Sequence, residues 1–321
     1  MRSTDMASNA SNDAKQQAKA RGRSVAPAKK SRAVTKQSTK KNGLVAWISI
    51  GAVLVLVAVI AIVGLASSSS SASYTWTKAP TVVAATLAGL PASSYDVNTS
   101  APGVPESTFL TTKNQPLEKA ANPNGAVLPL VLYNGAEFCP YCGAERWAIV
   151  ASLSRFGTFS ALGITKSSSI DKYPSTNTLT FYKAKYVSPY ITFQSIEGFT
   201  NIPSGTFYKP LQSATKRQQY LINKYDNPPF IPSDQAQSYP WIDFGNQILM
   251  PGPTYDPSYL QGLTWTQIAQ LLHDPTNAVS QQILVSSNYI SASVCHIDGE
   301  MPASVCTSAG VKAAAAGIGL K

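Results

Sequence analysis

Phe138-Cys-Pro-Tyr-Cys142 follows an apolar run, Val127-Leu-Pro-Leu-Val-Leu-Tyr133, and precedes a stretch of helical periodicity. The apolar run is short and continuous, which is typical of a strand in the middle of a sheet covered on both faces. Pro140 suits the first position of the following helix, because a proline has no N–H group to leave unpaired there. The sequence therefore places a CxxC motif at a strand-to-helix junction, with Cys139 at the helix N-terminus.

A CxxC pair at such a junction is typical of thiol–disulfide exchange. Free N–H groups and the positive end of the helix dipole favour the thiolate of Cys139, which predicts a depressed pKa and partial exposure. Cys142 lies one turn further on, where it is placed to attack a mixed disulfide formed at Cys139, and we expect it to be more buried. The sequence thus assigns Cys139 as the catalytic nucleophile and Cys142 as the resolving thiol.

Two structural interpretations of the motif compete with exchange. The CxxC pair supplies half of a zinc site, and Cys295 and Cys306 bring the number of cysteines to four. These two are separated by ten residues, however, whereas a zinc knuckle uses a much shorter spacing. A fixed local disulfide is the other interpretation, although rings as tight as CxxC are mostly redox-active. No GxGxxG, Walker or HExxH motif occurs in the sequence, and we expect no metal and no cofactor.

The N-terminal part of the chain predicts a membrane anchor. Residues 1–43 hold 11 Lys or Arg and two acids with few large apolar side chains, which predicts a disordered basic tail. Residues 44–65 are 22 residues without a charge, and as a helix they span about 33 Å, enough to cross a bilayer. The basic flank places the N-terminus in the cytoplasm, so that everything after this single transmembrane helix is extracytoplasmic.

The charge distribution bears on the partners of the protein. The net charge of the chain is +10, and the tail accounts for 11 − 2 = +9 of it, so the remainder is close to neutral. The basicity belongs to a segment next to anionic lipid, and we expect no nucleic acid as a partner. Residues 66–125 are predicted to be a linker and an N-terminal extension, residues 126–310 the extracytoplasmic domain, and residues 311–321 a flexible C-terminus.

Downstream of the CxxC motif, periodicity and turn residues predict a series of elements. They are a helix over 139–156 with Gly157 as its C-cap, strands over 178–186 and 190–196, a helix over 211–225, a hairpin with strands 241–244 and 247–250 around a Gly245-Asn246 turn, a helix over 265–272 capped by Thr264, and a helix over 277–294. This is the order of elements in thioredoxin with an enlarged middle. We therefore expect an α/β protein with a thioredoxin-like fold that carries a helical and strand insertion.

Pro240 opens the first strand of the predicted hairpin, with Tyr239 before it. In the thioredoxin-like fold the residue at this position is a cis-proline that faces the CxxC motif. A cis bond turns the backbone of the preceding residue toward the thiols, where it can pair with an extended substrate. We expect Tyr239 and Pro240 to form such a substrate-binding platform. The alternative is an ordinary trans-proline that opens an edge strand.

Several segments resemble the DUF929 family of membrane-anchored proteins. They are Tyr-Asn-Gly-Ala-Glu-Phe-Cys-Pro-Tyr-Cys-Gly-Ala-Glu-Arg-Trp (133–147), Ser-Arg-Phe-Gly (154–157), Trp-Ile-Asp-Phe-Gly-Asn (241–246) and the tail Cys-His-Ile-Asp-Gly-Glu-Met-Pro-Ala-Ser-Val-Cys (295–306). The resemblance covers about residues 80–310. It implies a thioredoxin-like domain but supplies no physiological substrate.

The other cysteines and the charges near the motif each allow two interpretations. Cys295 and Cys306 form either a structural disulfide, as expected outside the cytoplasm, or a second redox pair that exchanges electrons with the CxxC motif. We favour the structural disulfide, because nothing around Cys295 is typical of an activating helix start. Glu137, Glu145 and Arg146 either tune the cysteine pKa values or are solvated ends of the helix.

These observations together predict a membrane-anchored extracytoplasmic thiol–disulfide oxidoreductase. Its expected substrates are protein thiols or disulfides, and a membrane redox partner is expected to recycle the CxxC pair. The competing hypothesis is a non-enzymatic thioredoxin-like module for binding or scaffolding at the cell surface, in which the CxxC motif is a structural disulfide.

Overall fold

The apolar run of residues 127–133 forms the central strand of the main sheet in a computed structural model, which describes residues 73–97 and 108–320. The strands are β1 (Thr77–Lys78), β2 (Leu110–Thr111), β3 (Lys119–Ala121), β4 (Val127–Gly135), β5 (Thr158–Lys166), β6 (Asn177–Val187), β7 (Thr192–Glu197), β8 (Phe199–Ser204), β9 (Phe207–Pro210), β10 (Trp241–Phe244) and β11 (Ile248–Pro251). The helices are α1 (Thr81–Ala88), α2 (Pro140–Leu153), α3 (Lys216–Tyr225), α4 (Trp265–Leu271), α5 (Ala278–Asp298), α6 (Ala303–Cys306) and α7 (Ala309–Gly317).

Strand β4 lies at the centre of the main sheet because strands pair with it on both edges. β7 runs parallel to residues 130–135 of β4, and β10 runs antiparallel to residues 131–134. β11 continues the sheet beyond β10, β2 follows β11, and β3 pairs with residues 127–129. β5 and β6, which lie between α2 and β7 in the chain, form a separate antiparallel sheet with β1, and β8 pairs with β9 alone. The described residues thus form a mixed α/β fold with several sheets.

Both faces of β4 are buried, which explains why its sequence is apolar without alternation. Val131 and Tyr133 belong to the main core, together with Trp147 of α2 and a row of residues from α5. Leu130 and Leu132 point to the opposite face, where they pack with residues of α3 and with Trp241. The period of two along a strand sends alternate side chains into two different cores.

Most predicted elements are present, but several helix boundaries differ. The C-cap of α2 is Ser154 rather than Gly157. Gly157 is instead a point of close approach, since a Cβ added there would lie 2.4 Å from the carbonyl oxygen of Val187. Helix α3 begins at Lys216 rather than at Leu211, because Thr215 caps it and the N–H group of Leu211 is used by the carbonyl of Gly198.

The hairpin of β10 and β11 has the predicted turn. Gly245 and Asn246 both have positive φ values, 60° and 63°, as a two-residue hairpin turn requires. Gln247 donates its N–H to the carbonyl of Phe244 at 3.0 Å, which closes the turn. Thr264 caps α4 as predicted, with its hydroxyl accepting a hydrogen bond from a backbone N–H.

The described residues of the N-terminal extension pack against the domain that is predicted to begin at residue 126. Val83 and Leu87 of α1 are fully buried in the main core. Strands β1, β2 and β3, which also precede residue 126, add to the two larger sheets. These strands are two or three residues long, and such short segments carry too little periodicity to be recognised in a sequence.

The C-terminus also differs from the prediction. Helix α5 continues beyond residue 294 to Asp298, where Gly299 ends it in the left-handed conformation. The segment 311–321 was expected to be flexible, but α7 extends into it as far as Gly317. Val311 and Ala314 of α7 are buried. An alanine-rich segment carries few large apolar residues, and here its small side chains allow close packing against α5.

No helix within residues 73–97 and 108–320 is long and apolar enough to cross a membrane. The predicted anchor at residues 44–65 and the predicted disordered tail at residues 1–43 lie outside the described residues.

Cys295 and Cys306 are bonded to each other, with an S–S distance of 2.02 Å and a sequence separation of 11. Cys295 lies in the last turn of α5, and Cys306 ends α6, so the bond closes the loop that connects these two helices. Both residues are buried. The predicted pairing is therefore present in the structure.

We predict that replacing both Cys295 and Cys306 with Ala lowers the free energy of unfolding by about 2–3 kcal/mol, because the bond restricts the unfolded chain over a loop of this length. Urea denaturation of the variant and of the unaltered protein measures the difference. Both samples are kept without reductant, so that the bond is intact in the reference. An unchanged free energy of unfolding contradicts a structural role for the bond.

Candidate active site

The two thiols of the CxxC motif lie at the start of α2, close together and reduced. Cys139 is the N-cap of the helix, and its Sγ accepts a hydrogen bond from the backbone N–H of Cys142 at 3.1 Å. Pro140 occupies the first turn, as the sequence predicts. Cys142 is fully buried, and Cys139 keeps 5% of its surface exposed. The helix start therefore stabilises one sulfur of the pair and encloses the other.

The pKa values of the two thiols move in opposite directions. Burial by itself raises the pKa of Cys139, but hydrogen bonds from the Cys142 thiol and amide and the positive charge of Arg146 outweigh it. The pKa of Cys139 is therefore lower than that of an ordinary thiol. Burial raises the pKa of Cys142 well above its usual range, and its interaction with Cys139 adds to this. Of the two thiols, Cys139 is therefore the one that loses its proton more readily.

Cys139 is less exposed than the sequence analysis expected. Its neighbour Phe138 lies in a cluster of aromatic rings that brings the β8–β9 hairpin next to the start of α2. The partners of Phe138 in this cluster are Phe199, Phe207, Tyr208 and Tyr239. The closest pair is Phe138 and Tyr208, which stack with ring centroids 4.3 Å apart.

The Tyr239–Pro240 peptide bond is in the cis form and lies beside Cys139. The carbonyl oxygen of Tyr239 is 3.8 Å from Sγ of Cys139, across 100 residues of sequence. The carbonyl of Pro240 accepts a hydrogen bond from Gly252 and is thereby held in the hairpin. The structure thus brings together Cys139, Cys142, Tyr239 and Pro240, the four residues that the sequence assigns to one site.

Arg146 is fully buried, which corrects the interpretation of this residue as a solvated helix end. It forms a bidentate ion pair with Glu197, with Nε–Oε1 and Nη2–Oε2 distances of 2.8 and 2.7 Å. Nη2 also donates to the carbonyl of Ala136, just before the CxxC motif. Glu197 was not among the predicted site residues, and it ends β7 one residue after the predicted strand. An acid at the end of a buried parallel strand was the feature that could have indicated it.

The backbone before the motif passes very close to Cys142. A Cβ added to Gly135 would lie 2.2 Å from Oη of Tyr133 and 3.1 Å from Sγ of Cys142, so only glycine fits. The hydroxyl of Tyr133 is buried and has no hydrogen-bond partner among the described residues, and the same holds for Nη1 of Arg146. Two polar groups without hydrogen-bond partners among the described residues therefore lie in the buried region around Cys142.

Glu137 is also buried rather than solvated, two residues before Cys139. Its carboxylate accepts hydrogen bonds from the hydroxyl groups of Tyr74, at 2.8 Å, and Thr180, at 2.6 Å. Burial raises the pKa of Glu137, and the negative charge of Glu197 raises it further. Tyr74 lies in the N-terminal extension, so this contact ties the extension to the residues in front of the CxxC motif.

Glu145 is also fully buried. The sequence allowed two interpretations of it, as a residue that tunes the cysteine pKa values or as a solvated helix end. Its Oε2 accepts hydrogen bonds from the N–H and the hydroxyl of Thr254, while Oε1 has no partner among the described residues. Burial raises the pKa of Glu145 to about 7. The carboxyl group thus changes its charge inside the core near neutral pH.

The interpretation of the four cysteines as a zinc site is wrong, because Cys295 and Cys306 are bonded to each other. Within the described residues, the group with metal-ligand spacing is Cys295, Glu300 and Cys306. Two of its three ligand atoms are the sulfurs of the disulfide, which have no thiolate to offer a metal.

The fold and the site define a mixed α/β protein in which a CxxC motif caps a helix beside a cis-proline. The family model described as "Domain of unknown function (DUF929)" matches residues 113–296, more than half of the chain, and the chain belongs to this family. Comparisons with curated proteins and with solved structures found no match.

We predict that Glu145→Gln makes the stability of the protein less dependent on pH. The folded pKa of about 7 lies above the usual 4.5, so the folded state binds this proton more tightly than the unfolded state does. Its contribution to stability is complete below about pH 4.5 and is lost as the pH rises through about 7. Between about pH 5 and pH 8 we expect the unaltered protein to lose about 1–3 kcal/mol more than the variant.

Urea denaturation at the two pH values measures this difference. Glu300→Gln is the matched control, because it removes the same charge from an exposed side chain. A pH dependence that is the same in Glu145→Gln as in the unaltered protein would show that the buried carboxyl does not titrate in this range.

Proposed function

We propose that this protein is a membrane-anchored thiol–disulfide oxidoreductase with a thioredoxin-like domain outside the cytoplasm. The order of elements supports the fold: a central strand, the CxxC helix, a parallel strand, a helix, an antiparallel hairpin that begins at a cis-proline, and a helix. The observation that carries the function is the contact at the site. A thiol with a lowered pKa caps a helix, and the backbone carbonyl of Tyr239, the residue before the cis-proline, lies 3.8 Å from it.

The exchange proceeds through a mixed disulfide. The Cys139 thiolate attacks one sulfur of a substrate disulfide, the substrate S–S bond breaks, and one substrate thiolate leaves. Cys142 loses its proton and attacks Sγ of Cys139, which releases the second substrate thiolate and leaves a Cys139–Cys142 disulfide. Two electrons pass to the substrate, and the reverse sequence oxidises a dithiol. Exchange in either direction uses the same two sulfurs.

The residues around Cys142 support its attack on Sγ of Cys139. Its pKa is raised well above the ordinary value by burial, so it needs help to become a nucleophile inside the protein. Arg146 lowers the pKa of both thiols, and its Nη1 has no hydrogen-bond partner among the described residues. The Tyr133 hydroxyl, equally without a partner, lies beside Gly135 and Cys142. These two donors are positioned to stabilise the Cys142 thiolate as it forms.

Substrate polypeptides bind along the Tyr239–Pro240 backbone in this proposal. An extended chain that pairs with the residues before Pro240 brings its own cysteine to Cys139. This way of binding uses main-chain hydrogen bonds and therefore depends little on the sequence of the substrate. It suits an enzyme that acts on protein thiols, and a membrane redox partner recycles the pair.

The competing function is a binding or scaffold module whose CxxC motif is a fixed disulfide, and the redox potential separates the two. We predict a potential of the Cys139–Cys142 pair above about −300 mV, whereas a structural disulfide resists reduction at that potential. Equilibration of the full-length protein with redox buffers, followed by alkylation and mass analysis of each pair, measures it. Cys295–Cys306 in the same sample is the internal control and is expected to stay oxidised. A value for Cys139–Cys142 as low as that of the control would support the scaffold function.

The topology follows from the predicted anchor at residues 44–65 and the basic tail before it. We predict that protease added to intact cells removes the domain and spares residues 1–43, because the positive flank stays in the cytoplasm. Antibodies against the two ends of the chain report the result, and permeabilised cells, in which both ends become accessible, provide the control. Protection of the domain in intact cells would contradict the proposed location.

A further inference from the structure

A polar cleft begins next to the Tyr239–Pro240 backbone and extends along α3. Its volume is about 540 Å³. Its floor is the end of β4 and β7, and its walls are the chain after β9, helix α3 and the residues before Pro240. The polar side chains of its lining include Asn134, Gln212, Asn223, Asp226, Gln237 and Tyr239. The cleft therefore shares Tyr239 with the thiol site and is otherwise separate from it.

Asp226 is the only charged residue among those that line this cleft. It is 2% exposed, and its Oδ1 accepts a hydrogen bond from the backbone N–H of Gln237 at 3.0 Å. The residues that line the cleft include no Lys, Arg or His to pair with this carboxylate. Burial raises the pKa of Asp226 to about 7. A buried carboxylate without a counter-ion either takes up a proton or is stabilised by a cation that binds beside it.

The cleft lies along the path of a substrate that uses the cis-proline platform. Gln237 and Tyr239 line the cleft and also precede Pro240 in the chain. Burial and the Cys142 thiol raise the pKa of Tyr239, and the charge of Asp226 contributes to the same shift. The Asp226 carboxylate thus acts electrostatically on the residue whose carbonyl faces Cys139. An extended substrate rises about 3.3 Å per residue, so side chains within about three residues of its cysteine pass the cleft.

We propose that this cleft binds a lysine or arginine side chain of the substrate polypeptide, within about three residues of its reactive cysteine. Asp226 binds the cationic group through Oδ2, and the amide oxygens of Gln212 and Asn223 are available to accept its remaining N–H groups. The inference rests on the proposed exchange function and adds the class of substrate, a thiol or disulfide next to a basic residue. The cleft and the cis-proline platform are both formed in part by the residues before Pro240.

The test uses full-length Cys142→Ala protein in detergent, in which Cys139 is the remaining free thiol. The probes are short peptides whose single cysteine carries thionitrobenzoate as a mixed disulfide. The Cys139 thiolate attacks the peptide sulfur, the probe S–S bond breaks, and coloured thionitrobenzoate leaves with the electron pair, so one disulfide replaces another without an oxidant. Three peptides differ only in the flanking residues, which are lysine, N-acetyl-lysine or glutamate.

We expect the lysine peptide to react roughly three- to ten-fold faster than the acetyl-lysine peptide at about pH 8, as one partly buried ion pair allows, and the glutamate peptide to react most slowly. Asp226→Asn keeps the acceptor for Gln237 and is expected to remove this ratio. Asp234→Asn makes the same charge change on an exposed side chain of the same loop, outside the cleft. It is expected to leave the ratio unchanged.

The pH dependence gives a second measurement that needs no variant at Asp226. The lysine preference should shrink from about pH 8 to about pH 5, as the Asp226 carboxylate takes up a proton. Equal rates for the three peptides, or an equal effect of Asp234→Asn and Asp226→Asn, would overturn the inference while leaving the exchange function intact. If Cys139 reacts with no probe faster than a free thiol does, the exchange function itself fails.

Discussion

The buried ion pair between Arg146 and Glu197 is the interaction on which the site depends. It joins the CxxC helix to the end of the parallel strand β7, and a third bond from Arg146 holds the carbonyl of Ala136. Removing one partner would leave the other charge buried and unpaired, which typically costs about 3–5 kcal/mol. The pair therefore fixes the strand-to-helix junction and places a positive charge behind the thiols. The charge of Arg146 adds to the hydrogen bonds from Cys142 that lower the pKa of Cys139.

The sequence predicted the features that depend on local chemistry. Cys139 caps a helix because Pro140 follows it, and Gly245-Asn246 forms a hairpin turn because these residues tolerate positive φ. The cis bond at Pro240 was predicted from the order of elements, since only the CxxC motif upstream distinguished this proline from others. Local propensity and the order of elements were therefore enough to predict the central strand, the CxxC helix and the hairpin.

The sequence did not predict what depends on contacts between distant residues. Glu137, Glu145 and Arg146 are charged residues beside the CxxC motif, yet all three are buried because Thr180, Thr254 and Glu197 supply their partners. These partners are separated from them by between 43 and 109 residues. A polar residue without a visible partner is more often exposed, so a single sequence favours the wrong environment.

The charges behind the thiols also bear on the direction of exchange in the proposed function. Whatever stabilises the Cys139 thiolate stabilises the reduced pair relative to the disulfide, and so raises the redox potential. The lowered pKa of Cys139 acts in this direction, with Cys142 and Arg146 as its causes. The raised pKa of Cys142 keeps the second proton bound, so only one thiolate gains stability. Under the proposed function, the pair would accept electrons from a substrate dithiol more readily than a fixed disulfide does, and a basic residue next to that dithiol would be attracted to Asp226 in the neighbouring cleft.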